Sequence, residues 1–161
     1  MPTTSRVLRT LATVIANAPL HRGDQFAQHG PMDALDICAW AYCIAEDTPP
    51  PAEFFTDELA SIRLIECSPG AMQAIKTISA VLDTHPADEQ LDHGITVPNF
   101  LEHVSNWART APVRETKPPS VDEVIGRILR AADYAAYQDA ACRADALTRR
   151  LTGRRDRRLA A

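Results

Sequence analysis

Residues 37 to 45 read ICAWAYCIA, nine positions without a charge and apolar on nearly every side of a helix. A helix that is apolar all round must be buried, so this segment predicts a central helix with others wrapped around it. The rest of the composition agrees. Alanine and aliphatic side chains dominate the apolar fraction while aromatics make up 6%, a balance that favours helix-on-helix packing over a strand sandwich. At 161 residues one domain can bury a core of its own.

The expected fold is therefore all-α, about six helices around the segment 37–45, with a long helix at the C-terminal end. Prolines punctuate it, and all twelve fall outside the interiors of the periodic segments. Val7, Leu8, Leu11, Val14, Ile15 and Ala18 share one helical face. An A-x-A at Ala16-Asn17-Ala18 imitates a secretory cleavage site, but Pro19 follows it directly and Thr10 and Thr13 interrupt the apolar run. The segment reads as a first helix. Ser68-Pro69 is an N-cap followed by a proline at the first helical position, with Ala71, Ile75, Ile78 and Leu82 inward. After Pro98, Phe100, Leu101, Val104, Trp107, Ala108 and Ala111 form a stripe opposite Asn99, His103, Asn106 and Thr110.

A further helix is expected from about Thr56 to Glu66, with Phe55, Leu59 and Ile62 inward. Ser120-Val121-Asp122-Glu123 is a capping box, the start of the long helix. Val121, Val124, Ile125, Ile128, Leu129 and Ala132 make its expected core face. The row Ala132, Ala136, Ala140 and Ala144 allows close approach of another helix, inside the fold or across a homodimer. Segments 19–31, 47–54, 84–97 and 112–119 read as loops, with a short extended piece at Gly94–Val97. No stretch reaches the ~18 apolar residues of a membrane span, and the chain is expected to be cytoplasmic.

Charge is divided unevenly. The net charge is −4, yet from Cys142 onward seven arginines face only Asp145 and Asp156. Residues 1–141 thus read as an acidic helical domain and 142–161 as a basic helical tail. At about 100° per residue, Arg143, Arg150, Arg154 and Arg157 fall in a wedge of roughly 60°, with Arg158 beside it. Guanidinium groups in such a stripe suit phosphate or carboxylate, because the planar fork donates two parallel hydrogen bonds to either. Nucleic acid or an acidic protein is the expected partner of the tail.

The order Leu11-Ala12-x-x-Ile15, Gly23-x-x-Phe26-Ala27, Cys38-Ala39-x-Ala41, Val104-x-x-Trp107 and Val124-x-x-x-x-Leu129-x-x-Ala132 resembles a family of small helical actinobacterial proteins of unknown function. Family members favour glycine where Ala41 stands and aspartate or asparagine where Ala108 stands. The resemblance implies a helical fold and no chemistry.

No motif supplies chemistry either. The six glycines are too dispersed for a phosphate loop or a dinucleotide fingerprint, and neither H-E-x-x-H nor G-x-S-x-G occurs. No glutamate has a histidine three residues on, as a helical di-iron site needs. Cys38, Cys43, Cys67 and Cys142 match no zinc or redox spacing and read as buried apolar residues. His21, His29, Cys38 and Cys43 are poor candidates for one metal, since Cys38 and Cys43 stand about 140° apart on their helix. Glu89 and His93, four residues apart, read as solvated. Asp33 and Asp36 fit the start of the buried helix, where carboxylates complement the helix dipole.

The expectation is a non-enzymatic binding protein without cofactor or metal, acting through the arginine stripe. A self-associating or interaction module and a small-ligand binder or enzyme are the alternatives. A deep pocket with convergent polar groups favours the last of these, and its absence favours surface binding.

Overall fold

The computed structural model describes residues 2–90, 95–111 and 117–159, with the side chains of Asp145 and residues 147–159 outside that description. Within it the chain forms seven helices: α1 (Thr4–Asn17), α2 (Ile37–Glu46), α3 (Glu53–Thr56), α4 (Glu58–Glu66), α5 (Pro69–Ser79), α6 (Phe100–Arg109) and α7 (Val121–Leu159). Two short antiparallel ribbons accompany them. β1 (Ala27–Gln28) pairs with β2 (Ala34–Leu35), and β3 (Asp88–Gln90) with β4 (Thr96–Pro98). No described helix is long and apolar enough to cross a membrane.

The uncharged segment is central, as its composition demands. Ile37, Cys38, Ala39, Ala41, Cys43 and Ala45 of α2 are buried, and α2 touches α1, α4, α5 and α6. Asp36 caps its start, accepting from the amides of Cys38 at 2.6 Å and Ala39 at 3.4 Å. Asp47, in the left-handed region at φ 52°, ends it. The other start signals hold as well. Ser68 accepts from the Ala71 amide at 3.1 Å, and Ala71, Ile75 and Ile78 of α5 are fully buried. Ser120 and Glu123 form the reciprocal box, at 3.2 Å and 2.6 Å. Asn99, expected only on a polar face, caps α6 through the Glu102 amide at 2.9 Å.

Three expectations need correction. The helix expected from about Thr56 is two helices, because Asp57 leaves helical geometry and caps α4 through the Ala60 amide at 2.9 Å. The break turns the inward face by one residue. Phe54, Ser61 and Ile65 are buried, Phe55 and Ile62 only partly, and Leu59 is 68% exposed. Of the segments read as loops, 19–31 contains β1, 47–54 the first residues of α3, and 84–97 contains β3 and most of β4, so the extended piece expected at 94–97 is one strand of a ribbon; Gly94 lies outside the described residues.

The third correction concerns α7. Its core positions are Val124, Ile128, Ala131, Ala132 and Ala135, while Val121 is exposed and Leu129 is 39% exposed. Those buried positions repeat at i, i+4, i+7, i+8 and i+11, the stripe that packing against α1 selects. Of the alanine row only Ala132 is buried; Ala136, Ala140 and Ala144 are exposed. Enlarging Ala132 to leucine should therefore cost about 1–3 kcal/mol by overpacking. Ala136→Leu should stay within about 0.5 kcal/mol, as surface changes do. Urea midpoints decide it, and equal losses at both positions would place α7 in a different register.

Two contacts set the direction of α7 on α1. The Arg22 guanidinium donates to the Pro119 carbonyl at 2.8 Å, and Arg9 pairs with Asp133 at 2.6 Å. The helices therefore run antiparallel with equal rise, and the first residue of α1, Thr4, lies opposite about residue 138 of α7. From there α7 continues to Leu159, roughly 30 Å at about 1.5 Å per residue. The boundary drawn at residues 141 and 142 falls inside this one helix.

Candidate functional site

The arginine stripe needs a helical backbone, and α7 supplies one through Leu159. By helical spacing, positions 143, 150, 154 and 157 recur on the side of α7 that carries Ala132 and Ala136. They flank the buried face of α7 and lie beyond the point α1 reaches. Arg143 is exposed; the side chains of Arg150, Arg154, Arg157 and Arg158 lie outside the described residues. Between body and stripe, Tyr137 is 71% exposed, and Ala140, Ala141 and Cys142 are exposed with it.

The cysteines divide. Cys38 and Cys43 are buried in α2, but Cys67 and Cys142 are exposed, against the expectation for all four. Burial pushes the Cys38 thiol far up and the Cys43 thiol up to about 11, so both stay protonated and inert at neutral pH. Cys67 follows α4 on its solvent side, and Cys142 lies beyond the reach of α1. No three of His, Cys, Asp and Glu converge as a metal would need among the described residues.

Asp36 does more than cap. Its second carboxylate oxygen accepts from the Ser105 hydroxyl at 3.0 Å, tying α2 to α6. Desolvation raises its pKa against the hydrogen bonds from Cys38, Ser105 and Ala39 that stabilise the anion. Asp33 lies before β2 and meets His29 at 3.2 Å on the surface. Glu89 accepts from Asn99 at 3.1 Å, and its expected neighbour His93 lies outside the described residues.

The sequence places His103, Asn106 and Thr110 opposite the apolar stripe of α6 and assigns them no role. In the structure His103, Asn106 and Thr110 line a cleft of about 1070 Å³ between α6 and α7. His103 is held at both ring nitrogens, Nδ1 by Ser79 and Nε2 by Thr84, each at 2.8 Å. Burial, with His85 nearby, keeps its pKa below the ordinary imidazole range. One nitrogen of the neutral ring donates and the other accepts, so two hydroxyls satisfy it. This clip joins the end of α5, the segment after it, and α6.

Trp107, Gly126 and Arg130 also line the cleft. Gly126 costs α7 about 1 kcal/mol relative to alanine, and a Cβ there would meet no atom within 4 Å. A second cleft of about 590 Å³ lies on the other side of α6, where Asp24, Glu58, Glu66 and Glu102 oppose Arg109. Neither was legible before folding, because each is assembled from segments far apart in the chain.

No protein-family model, curated protein or solved structure matches this chain. The class that fold and site define is a mostly helical protein with a long C-terminal helix running past its body.

Proposed function

We propose that this is a non-enzymatic, cytoplasmic binding protein whose basic C-terminal helix contacts a polyanion, in the first instance nucleic acid. The observation that carries the reading is the extension of α7 to Leu159, past about residue 138, where α1 begins. A helical arm carries the arginine-bearing positions past a body whose sequence carries −9 over residues 1–141. Phosphate is repelled by that body and attracted by the arm, so approach is oriented. The clefts do not favour catalysis over binding, since His103 is engaged at both nitrogens and Glu102 and Asp83 are hydrogen-bonded. Two buried thiols in α2 fit a reducing compartment.

If Arg143, Arg150, Arg154 and Arg157 each neutralise one phosphate of duplex DNA, the log–log salt dependence of affinity should have a slope of about −3.6, about −0.9 per contact. Such contacts position without specifying, so unrelated duplexes should bind alike. Fluorescence anisotropy across a salt series reads the slope. A flat salt dependence rejects phosphate capture and leaves an acidic protein as the partner of the arm.

A second reading has its own observation. Ala136 and Tyr137, just before the arm, and Ala140 on it are exposed, a surface on which a second copy could pack its own α7. Light scattering distinguishes this, because a homodimer doubles the mass and Ala140→Glu should return it to monomer.

A further inference from the structure

The second cleft, of about 590 Å³, carries a large excess of negative charge. Asp24, Glu58, Glu66, Glu89 and Glu102 line it and are exposed, and none of them has an ion pair among the described residues. Glu89 and Glu102 are met by the neutral amides of Asn99 and Asn106. The one guanidinium in the lining, Arg109, donates to neutral oxygens, Asn106 Oδ1 at 2.9 Å and the Gly23 carbonyl at 3.3 Å. Five exposed carboxylates thus share a concave surface with a single cation, and the field of such a cleft draws positive charge.

The same cleft has apolar surface to offer. Glu58, Leu59, Ile62 and Glu66 of α4 all line it, with Leu59 68% exposed and Ile62 partly buried. Spaced within two turns on one side of α4, they form a face that the described fold leaves open. A leucine and an isoleucine between carboxylates fit a helix that carries both apolar and basic residues on one side.

The chain contains such a helix. Positions 147, 151, 154 and 158 recur at i, i+4, i+7 and i+11 on the backbone that runs to Leu159, and the sequence puts leucine at the first two and arginine at the last two. One unbroken helix carries these positions past its own body, so the matching cleft belongs to another molecule. We infer that the arm of one copy docks in the acidic cleft of a second copy, Leu147 and Leu151 against Leu59 and Ile62, and Arg154 and Arg158 toward the carboxylates. The inference rests on the reading of α7 as a basic contact arm, and it makes neighbouring chains competitors with the polyanion for that arm.

Sedimentation velocity of the full chain at about 100 μM, in about 50 mM and about 500 mM salt, tests it. At low salt the 17.7 kDa chain should associate, and at high salt it should return to monomer. A chain ended after Ala146 should stay monomeric. The double variant Glu58→Lys, Glu66→Lys and the single variant Leu59→Ser alter exposed positions, and each should weaken association about tenfold or more while remaining folded. Mixed together, the shortened chain, which keeps the cleft, and the double variant, which keeps the arm, should associate one to one. The double variant should bind duplex DNA at least as well as the full chain, so loss of docking and loss of polyanion capture are read separately. A full chain that is monomeric at low salt overturns the inference. So does association that survives the truncation or is undiminished in either folded cleft variant, and so does a mixture that stays apart.

Discussion

Phe54→Ala should destabilise the protein by about 3–5 kcal/mol, the usual cost of removing a buried ring. Phe54 is the largest side chain with no exposure. It sits 6.1 Å from the Phe26 ring and 5.4 Å from Tyr42, the latter edge-on, so its loss removes apolar burial and two aromatic contacts together. Those contacts join α3 to α2 and to the residue before β1. Phe55, one residue on, is half-buried and stacks on exposed His29 at 3.9 Å. Phe55→Ala should therefore cost clearly less. Urea unfolding of both variants gives the comparison, and a larger loss at Phe55 would mean that the inward face of α3 has been assigned to the wrong residue.

Asp36→Ala should be the second most damaging change, about 2–4 kcal/mol from loss of the cap and a stranded buried hydroxyl at Ser105. Asp36→Asn should behave differently. Its amide can accept from Cys38 and donate to Ser105, which keeps α2 tied to α6 without a buried charge. The pH dependence carries the sign. Because burial raises the folded pKa of Asp36 above its ordinary 3.8, the folded state holds its proton more tightly than the unfolded chain. Its contribution is fully present below pH 3.8 and lost as pH rises through the raised folded value. Asp36→Asn should remove that decline, so the stability gap between asparagine and aspartate should widen over this interval. A gap that narrows would show that the carboxylate is favoured charged where it stands.

Local chemistry explains which parts of the fold were legible in advance. Ser68-Pro69, the Ser120–Glu123 box and the uncharged run at α2 each act within a few residues, and each appears where the sequence places it. Asp57 was equally local but was absorbed into a continuous stripe, and its cap displaced Leu59 from the core. In α7 the apolar face is broad enough for several registers, and packing on α1 chose Ala131 and Ala135 over Val121 and Leu129. Cys67 is exposed at the end of α4 and Cys142 on α7 past the start of α1. The cleft at His103 was beyond sequence reasoning for a different reason. Ser79 and Thr84 reach it from 24 and 19 residues away, and no periodicity encodes that meeting. The arginine stripe is defined by helical spacing alone, and of its side chains only that of Arg143 lies among the described residues.

The central claim is that the arm of α7 captures a polyanion independently of the body. The direct measurement compares the full chain with a chain ended after Ala146, both titrated against labelled duplex DNA at about 50 mM salt, with melting curves recorded alongside. Among the described side chains of α7 the last buried one is Ala135, and on this account the shortened protein should melt within a degree or two of the full chain, consistent with a surface change. Its DNA affinity should vanish. Undiminished, salt-sensitive binding by the shortened chain would contradict the account.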